Sequence, residues 1–144
     1  MRSEIKGALL FHSNHLSSTI DYYRYIGLRY KSGFNMQTTD IEWSNTEEQI
    51  AKKAFDIAYE REINTVMEMV RSKANAMTQL DEMWSLHDFL SAKRHDIDGK
   101  YDYKHSFLIF VFAQLVKEGW LNVSELEGLE KQKIAKISAL SRMS

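Results

Sequence analysis

From Trp43 onward the apolar and polar positions of this chain fall into helical register; before it they do not. Ile50, Ala54, Ala58, Ile63, Val66, Met67, Val70, Ala74 and Met77 recur mostly at three- and four-residue steps with no glycine between them. At 1.5 Å per residue that stripe extends for roughly 45 Å. Ser44-Asn45-Thr46-Glu47 stands just upstream as a capping box: the serine side chain can accept from the backbone of Glu47 while Glu47 reaches back. The pattern predicts one long helix, more than a chain of this size can cover along its whole length. Asn75 to Thr78 is a weak break, with Thr78 expected to cap a second helix and Asp81 to lie in its first turn. Asp98-Gly99 is expected to close that second helix, because glycine tolerates the left-handed closing conformation.

The segment Phe107 to Ala113, FLIFVFA, is apolar on every side, so the third helix, predicted over Tyr103 to Glu118, must be wrapped by others. Gly119 is expected to end it, and Asn122-Val123-Ser124-Glu125 to cap a fourth helix striped by Leu126, Leu129, Ile134, Ile137 and Leu140. The expected fold is all-α: an extended helical hairpin forming a dimer, plus a compact two-helix head. In residue terms this gives a poorly structured segment over 1–42, a dimerisation stalk over 43–99 and a head over 100–144.

The second helix breaks the simple core pattern. Leu80, Met83, Trp84, His87, Leu90, Ser91 and Arg94 share one stripe, with Ile97 at its margin. In heptad terms Leu80, His87 and Arg94 occupy a, and Met83, Leu90 and Ile97 occupy d. Polar a positions lower stability but fix register and partner number, so the stripe reads as a dimer seam in which Trp84 is buried. Asp88 and Arg94 lie about 240° apart around one helix, so they cannot pair within it but can meet across a two-fold axis. The plainer alternative makes His87 and Arg94 snorkelling groups at the edge of an ordinary core.

Composition narrows the function classes. The 144 residues, 44% hydrophobic and 27% charged, suit one globular domain. There is no proline to interrupt helices and no cysteine for disulfides, thiol catalysis or Cys-based zinc sites. A formal net charge of −1 provides no global attraction to nucleic acid or an anionic membrane. Residues 1–35 carry five Lys/Arg against two Asp/Glu, while the remainder carries 14 against 18. That N-terminal arm holds Tyr22, Tyr23, Tyr25 and Tyr30 among basic residues but no sustained period, and reads as a loosely docked segment rather than a nucleic-acid strip. Its apolar run GALLF is too short for a signal-peptide core, and no segment is long enough to span a bilayer. A chain beginning at Met36 is expected to fold and function like the full sequence, the residues before it being either an untranslated upstream reading, with Met36 the translational start, or a dispensable arm.

Catalytic and metal constellations fail on spacing. Ser85, His87 and Asp88 resemble a triad only as text, since neighbouring helical positions are expected to point apart and no nucleophile elbow surrounds the serine. His87 and His95 lie about 12 Å apart along the axis, too far to share a metal. Asp96-Ile97-Asp98-Gly99 has the look of a calcium loop, but its first and twelfth ligand positions would be Arg94 and His105. Gly128 reads as a small contact residue, and the run from Phe107 to Phe112 as packed core rather than a pigment pocket.

WSLHDFLSAKRHDIDGKYDY, Trp84 to Tyr103, then FLIFVFAQLVKEGW, together with AYEREI at Ala58 to Ile63, closely resembles the fluorescence recovery protein family of cyanobacteria. The resemblance runs from about Trp43 to the C-terminus and leaves residues 1–35 outside. It implies an all-helical homodimer that binds the C-terminal domain of the orange carotenoid protein, a blue-light photoreceptor. It further implies faster return of the red active form to the orange resting form and detachment from the phycobilisome, to which the link is indirect. No cofactor, metal, small-molecule substrate, nucleic acid or catalysis is implied; the expected address is cytoplasmic, at most peripheral to the thylakoid membrane. By this resemblance Trp84, His87, Asp88 and Arg94 correspond to the functional patch around the dimer interface, whose seam holds Leu80, Met83, Leu90 and Ile97 as well. Phe110 and Lys136 correspond to head positions that engage the photoreceptor. Met83 stands where the family commonly has leucine, a volume-conserving change, and Tyr103 replaces an acidic residue of some relatives. A helical dimeric scaffold without light-state preference is the competing expectation.

Overall fold

A computed structural model describes residues 41–143; the expectations about the N-terminal arm and a start at Met36 lie outside them. Among the described residues there are four α-helices, one 3₁₀ turn and no strand: α1 (Asn45–Ala76), α2 (Leu80–Lys100), α3 (Leu108–Lys117), the turn Val123–Leu126 and α4 (Lys131–Ser141).

The capping box at the head of α1 forms as its sequence requires. The Glu47 N–H donates to Ser44 Oγ at 3.3 Å, and the Ser44 N–H donates to the Glu47 carboxylate at 3.0 Å. The buried face of α1 differs from the predicted stripe. It comprises Ala51, Ala54, Phe55, Ala58 and Glu62, with nothing buried beyond Glu62. The alanines let other elements approach closely, so the first half of α1 is the floor on which α3 and the 3₁₀ turn pack, with α4 lying against those two. Ile63, Val66 and Val70 are half-buried and Met67 is exposed, because beyond the head α2 is the one described helix beside α1. The long helix thus belongs to head and hairpin alike.

α1 and α2 run antiparallel. Lys73 Nζ lies over the Phe89 ring at 5.2 Å near the tip, and Lys100 bonds Glu62 near the base. The cap of α2 corrects the prediction: Gln79, not Thr78, is the N-cap. The Glu82 carboxylate reaches back to accept the N–H groups of Thr78 at 2.7 Å and Gln79 at 2.9 Å, and these bonds lower its pKa. The end differs too. Gly99 stays helical, positive φ being confined among the described residues to Gly119 and Gly128. The helix continues through it because Lys100 is drawn inward to buried carboxylates.

α3 starts at Leu108 rather than Tyr103. The preceding segment is held off the helical path by its aromatic rings, Tyr101 and Tyr103 packing edge-on against Phe55 at 5.4 and 5.1 Å. Leu108, Ile109, Val111, Phe112, Ala113 and Leu115 are buried, so the all-round apolar run is core, packed chiefly on α4. Gly119, at φ 82°, ends α3 as predicted. The single fourth helix does not survive. Asn122 and Glu125 box only the 3₁₀ turn, and the chain breaks at Gly128 before α4 begins. At φ 103° Gly128 is required by its backbone; an added Cβ would also meet the Ile50 Cδ1 methyl at 2.5 Å, a contact that side-chain tip can relieve by turning away.

Two charged clamps tie these elements to α1. Lys133, 5% exposed, donates to the Glu47 carboxylate at 2.8 Å and to the Glu42 carbonyl at 2.7 Å, and its ammonium sits 4.8 Å from the Trp43 ring. Arg61 grips Glu125 with both terminal nitrogens, at 2.8 and 2.7 Å. The Lys133 bond, then the Ser44 and Glu130 N–H groups, lower the Glu47 pKa to about 2; the Arg61 bond, then the Asn122 N–H, do the same for Glu125. Both folded-state values lie below the ordinary 4.5, so the stabilisation is complete above that pH and is lost as pH falls from 4.5 toward 2. Thermal melts should therefore fall steeply across this window, and Glu47→Gln should lower the neutral-pH melting temperature while flattening the descent. Parallel melting-temperature curves for wild type and variant would contradict the clamp.

Candidate functional site

The surface of α2 divides by helical period. Leu86, Phe89, Lys93, Ile97 and Lys100 form the stripe that turns toward α1, and each is half-buried or buried. Leu80, Trp84, His87, Ser91 and Arg94 lie roughly opposite, with Met83 and Leu90 on the borders between the two faces. Leu80 is 63% exposed, Trp84 56%, Leu90 42% and Met83 41%. The expectation that Trp84 is buried therefore does not hold within one chain. Ile97, placed by sequence at the seam's margin, belongs to the inner stripe and is covered by its own chain.

The polar members of the outer face are well exposed. His87 Nδ1 approaches Asp88 Oδ1 at 3.2 Å, so these neighbours meet despite the expectation that they point apart. Ser85 Oγ instead donates to the Asp81 carbonyl at 2.9 Å, which leaves no serine–histidine contact and removes the triad-like reading. Arg94 lies 3.6 Å from Asp98 one turn along, a loose exposed pair that holds the guanidinium weakly. Asp88 and Arg94 make no ion pair with each other among those of the described residues, in keeping with their separation around the helix. The result is an aromatic, histidine and arginine surface with apolar borders, a composition suited to binding another protein.

The two head residues stand on the paired helices α3 and α4. Phe110 is half-buried on the mostly buried α3, and Lys136 is exposed on α4. Sequence reasoning missed Glu62 and Lys100, 1% and 2% exposed, which bond each other beneath the base of α2. One signal existed: Glu62 falls four residues after Ala58 on the alanine face of α1, where a carboxylate needs a partner.

Comparison with known proteins converges on one family. The family model described as photoprotection regulator fluorescence recovery protein matches residues 43–141. The fluorescence recovery protein of Synechocystis sp. (strain ATCC 27184 / PCC 6803 / Kazusa) is 50% identical over 108 residues, covering 75% of this chain and 99% of that protein. Among solved structures, the Fremyella diplosiphon fluorescence recovery protein is 55% identical with a TM-score of 0.70, covering 71% of this chain and 100% of that one. The Synechocystis sp. PCC 6803 structure is 51% identical with a TM-score of 0.69 over the same shares.

Proposed function

This chain belongs to the fluorescence recovery protein family of photoprotection regulators, and from that membership we propose that it binds the activated orange carotenoid protein, speeds its return to the orange form and detaches it from the phycobilisome. The observation that carries this is the outer face of α2, where Trp84, His87 and Arg94 stand exposed among the described residues. A homodimer is part of the proposal: Leu80, Met83, Trp84 and Leu90 are more apolar surface than a solitary hairpin keeps in water, and a second copy of the same helix covers it by two-fold symmetry. Phe110 and Lys136 supply a second contact region on the head.

Action by such a protein is differential binding. Light separates the photoreceptor's two domains; holding the C-terminal domain while bridging toward the other raises their effective concentration and lowers the barrier to closure. Acceleration requires the closing transition state to be held more tightly than the open form, since tight binding to the open form alone traps it. The family is named for a regulator, and no transformation of a substrate is needed. Among the described residues no helix is long and apolar enough to cross a membrane; the proposed site of action is the cytoplasmic side, at phycobilisomes peripheral to the thylakoid. The test is to mix the purified protein with illuminated photoreceptor and follow the red-to-orange change in the dark. Faster recovery supports the proposal; recovery at the unassisted rate leaves a dimeric scaffold.

A further inference from the structure

The face that carries the proposed recognition residues rests on very little apolar packing. Of the 21 residues of α2, just Ile97 and Lys100 are buried, both in its last turn. Leu86 and Phe89 are half-buried, and the far end is tied to α1 by residues 77–79. The firm attachment is ionic. Lys100 Nζ donates to both oxygens of the Glu62 carboxylate, at 2.8 and 3.0 Å, and to the Glu118 carboxylate, with Asp96 3.7 Å away. Tyr101 adds its hydroxyl to Glu62 at 2.9 Å. Gln114 and the Trp120 indole donate to Glu118 at 2.8 and 3.1 Å. One ammonium thereby joins the middle of α1, the end of α2 and the end of α3. Burial opposes its charge, yet the bonds it donates to Glu118 and Glu62 outweigh that and raise its pKa.

A cluster of this kind is a poor source of stability, since apolar side chains of similar volume often serve as well or better. What it supplies is direction: hydrogen bonds to carboxylates on two other elements fix rotation, where apolar contact permits sliding. Trp84 lies roughly 24 Å along the α2 axis from Lys100, so a tilt of about 10° at the anchor moves it by about 4 Å. We propose that the Glu62–Lys100–Glu118 cluster is a positioning device that sets the rotation and tilt of α2, and with them the placement of the face bearing Trp84, His87 and Arg94. This rests on the function proposed above only for its consequence; the positioning itself is measured without the photoreceptor.

The test is the double variant Glu62→Met/Lys100→Met, which removes charge from both sides of the buried pair. The chain has no cysteine, so Lys53→Cys and Ala92→Cys take spin labels cleanly, and dilution into unlabelled chain restricts the reading to distances within one protomer. The expected result is a melting temperature near that of the unsubstituted chain, an α1–α2 distance distribution at least about twice as broad, and photoreceptor recovery slowed about tenfold, the scale set by lost preorganisation of one or two interface side chains. An unchanged distribution overturns the proposal, whatever the recovery rate. A broadened distribution with full recovery activity overturns the link to function. Should the double variant fail to fold, Glu118→Gln, at a half-exposed position, must broaden the distribution in the same sense, and an unchanged width there overturns the proposal equally. If the unsubstituted chain has no recovery activity, the proposed function fails while the distance measurement still decides the positioning claim.

Discussion

A chain carrying Met83→Glu is expected to sediment as a monomer at concentrations where the unsubstituted chain is a dimer. Met83 lies on the border of the outer face of α2, 41% exposed within one chain, beside the apolar side chains that the proposed two-fold interface covers. The substitution introduces one carboxylate per protomer, and by symmetry the two come near each other in a surface that has to lose its water. Burying an unpaired charge costs several kcal/mol, and each 1.4 kcal/mol is tenfold in the dissociation constant, so dissociation should rise roughly 100-fold or more. The protomer itself should keep its helicity, because Met83 adds nothing to the buried core. Sedimentation velocity over a concentration series, with circular dichroism as the folding control, decides the matter. A wild type that runs as a monomer, or a variant that dimerises as well, removes the interface from α2. Trp84→Ala should act in the same direction: at 56% exposure the indole has little to lose within its own chain and much across an interface.

Arg94→Lys is expected to slow photoreceptor recovery by roughly 10- to 100-fold while leaving the melting temperature unchanged, the range that follows from losing one charge-assisted bond of about 1.5–3 kcal/mol. The fold should be indifferent because the Arg94 side chain is 85% exposed and its ion pair to Asp98, at 3.6 Å, is loose. Recognition is not indifferent, because a planar guanidinium presents paired donors to a carboxylate and lysine presents a point charge. Recovery kinetics and sedimentation on the same preparation separate the two routes by which the variant can act. Slow recovery with an intact dimer places Arg94 against the photoreceptor, while slow recovery with dissociation places it in the seam, where Asp88 of a second copy is the proposed acceptor. Recovery at the unsubstituted rate eliminates the bidentate role.

Much of the helical plan is legible because its causes are local. Ser44 and Glu47 meet three residues apart, Gly119 ends α3 through its own backbone freedom, and the run from Phe107 to Ala113 declares a core helix by having no polar side. The family is legible for a different reason: the segment from Trp84 to Tyr103 is long and idiosyncratic, and a match there identifies a relative without any account of its physics. The outer face of α2 was readable as a set of residues sharing a stripe, since helical period alone collects Leu80, Trp84, His87 and Arg94.

Period could not say which way that stripe points, and this is where tertiary structure decides. The inner stripe through Leu86, Phe89, Lys93 and Ile97 is as apolar as its neighbour, and only the position of α1 shows that it faces inward. The same limit explains the misread ends. Gly99 has the local freedom to terminate α2, but Lys100 finds Glu62 38 residues away and Glu118 18 residues away, and that bonding carries the helix one residue further. Lys133 likewise reads as a solvated lysine until Glu47, 86 residues distant, arrives to hold it. The sequence by itself determined the start of α1 at its Ser44–Glu47 box and the end of α3 at Gly119, where the cause lies within one turn, and which protein family the chain joins. Tertiary structure alone decided which charges are buried and which face of α2 is free, because a buried ion pair is a contest between desolvation and partners that only the folded chain brings within reach.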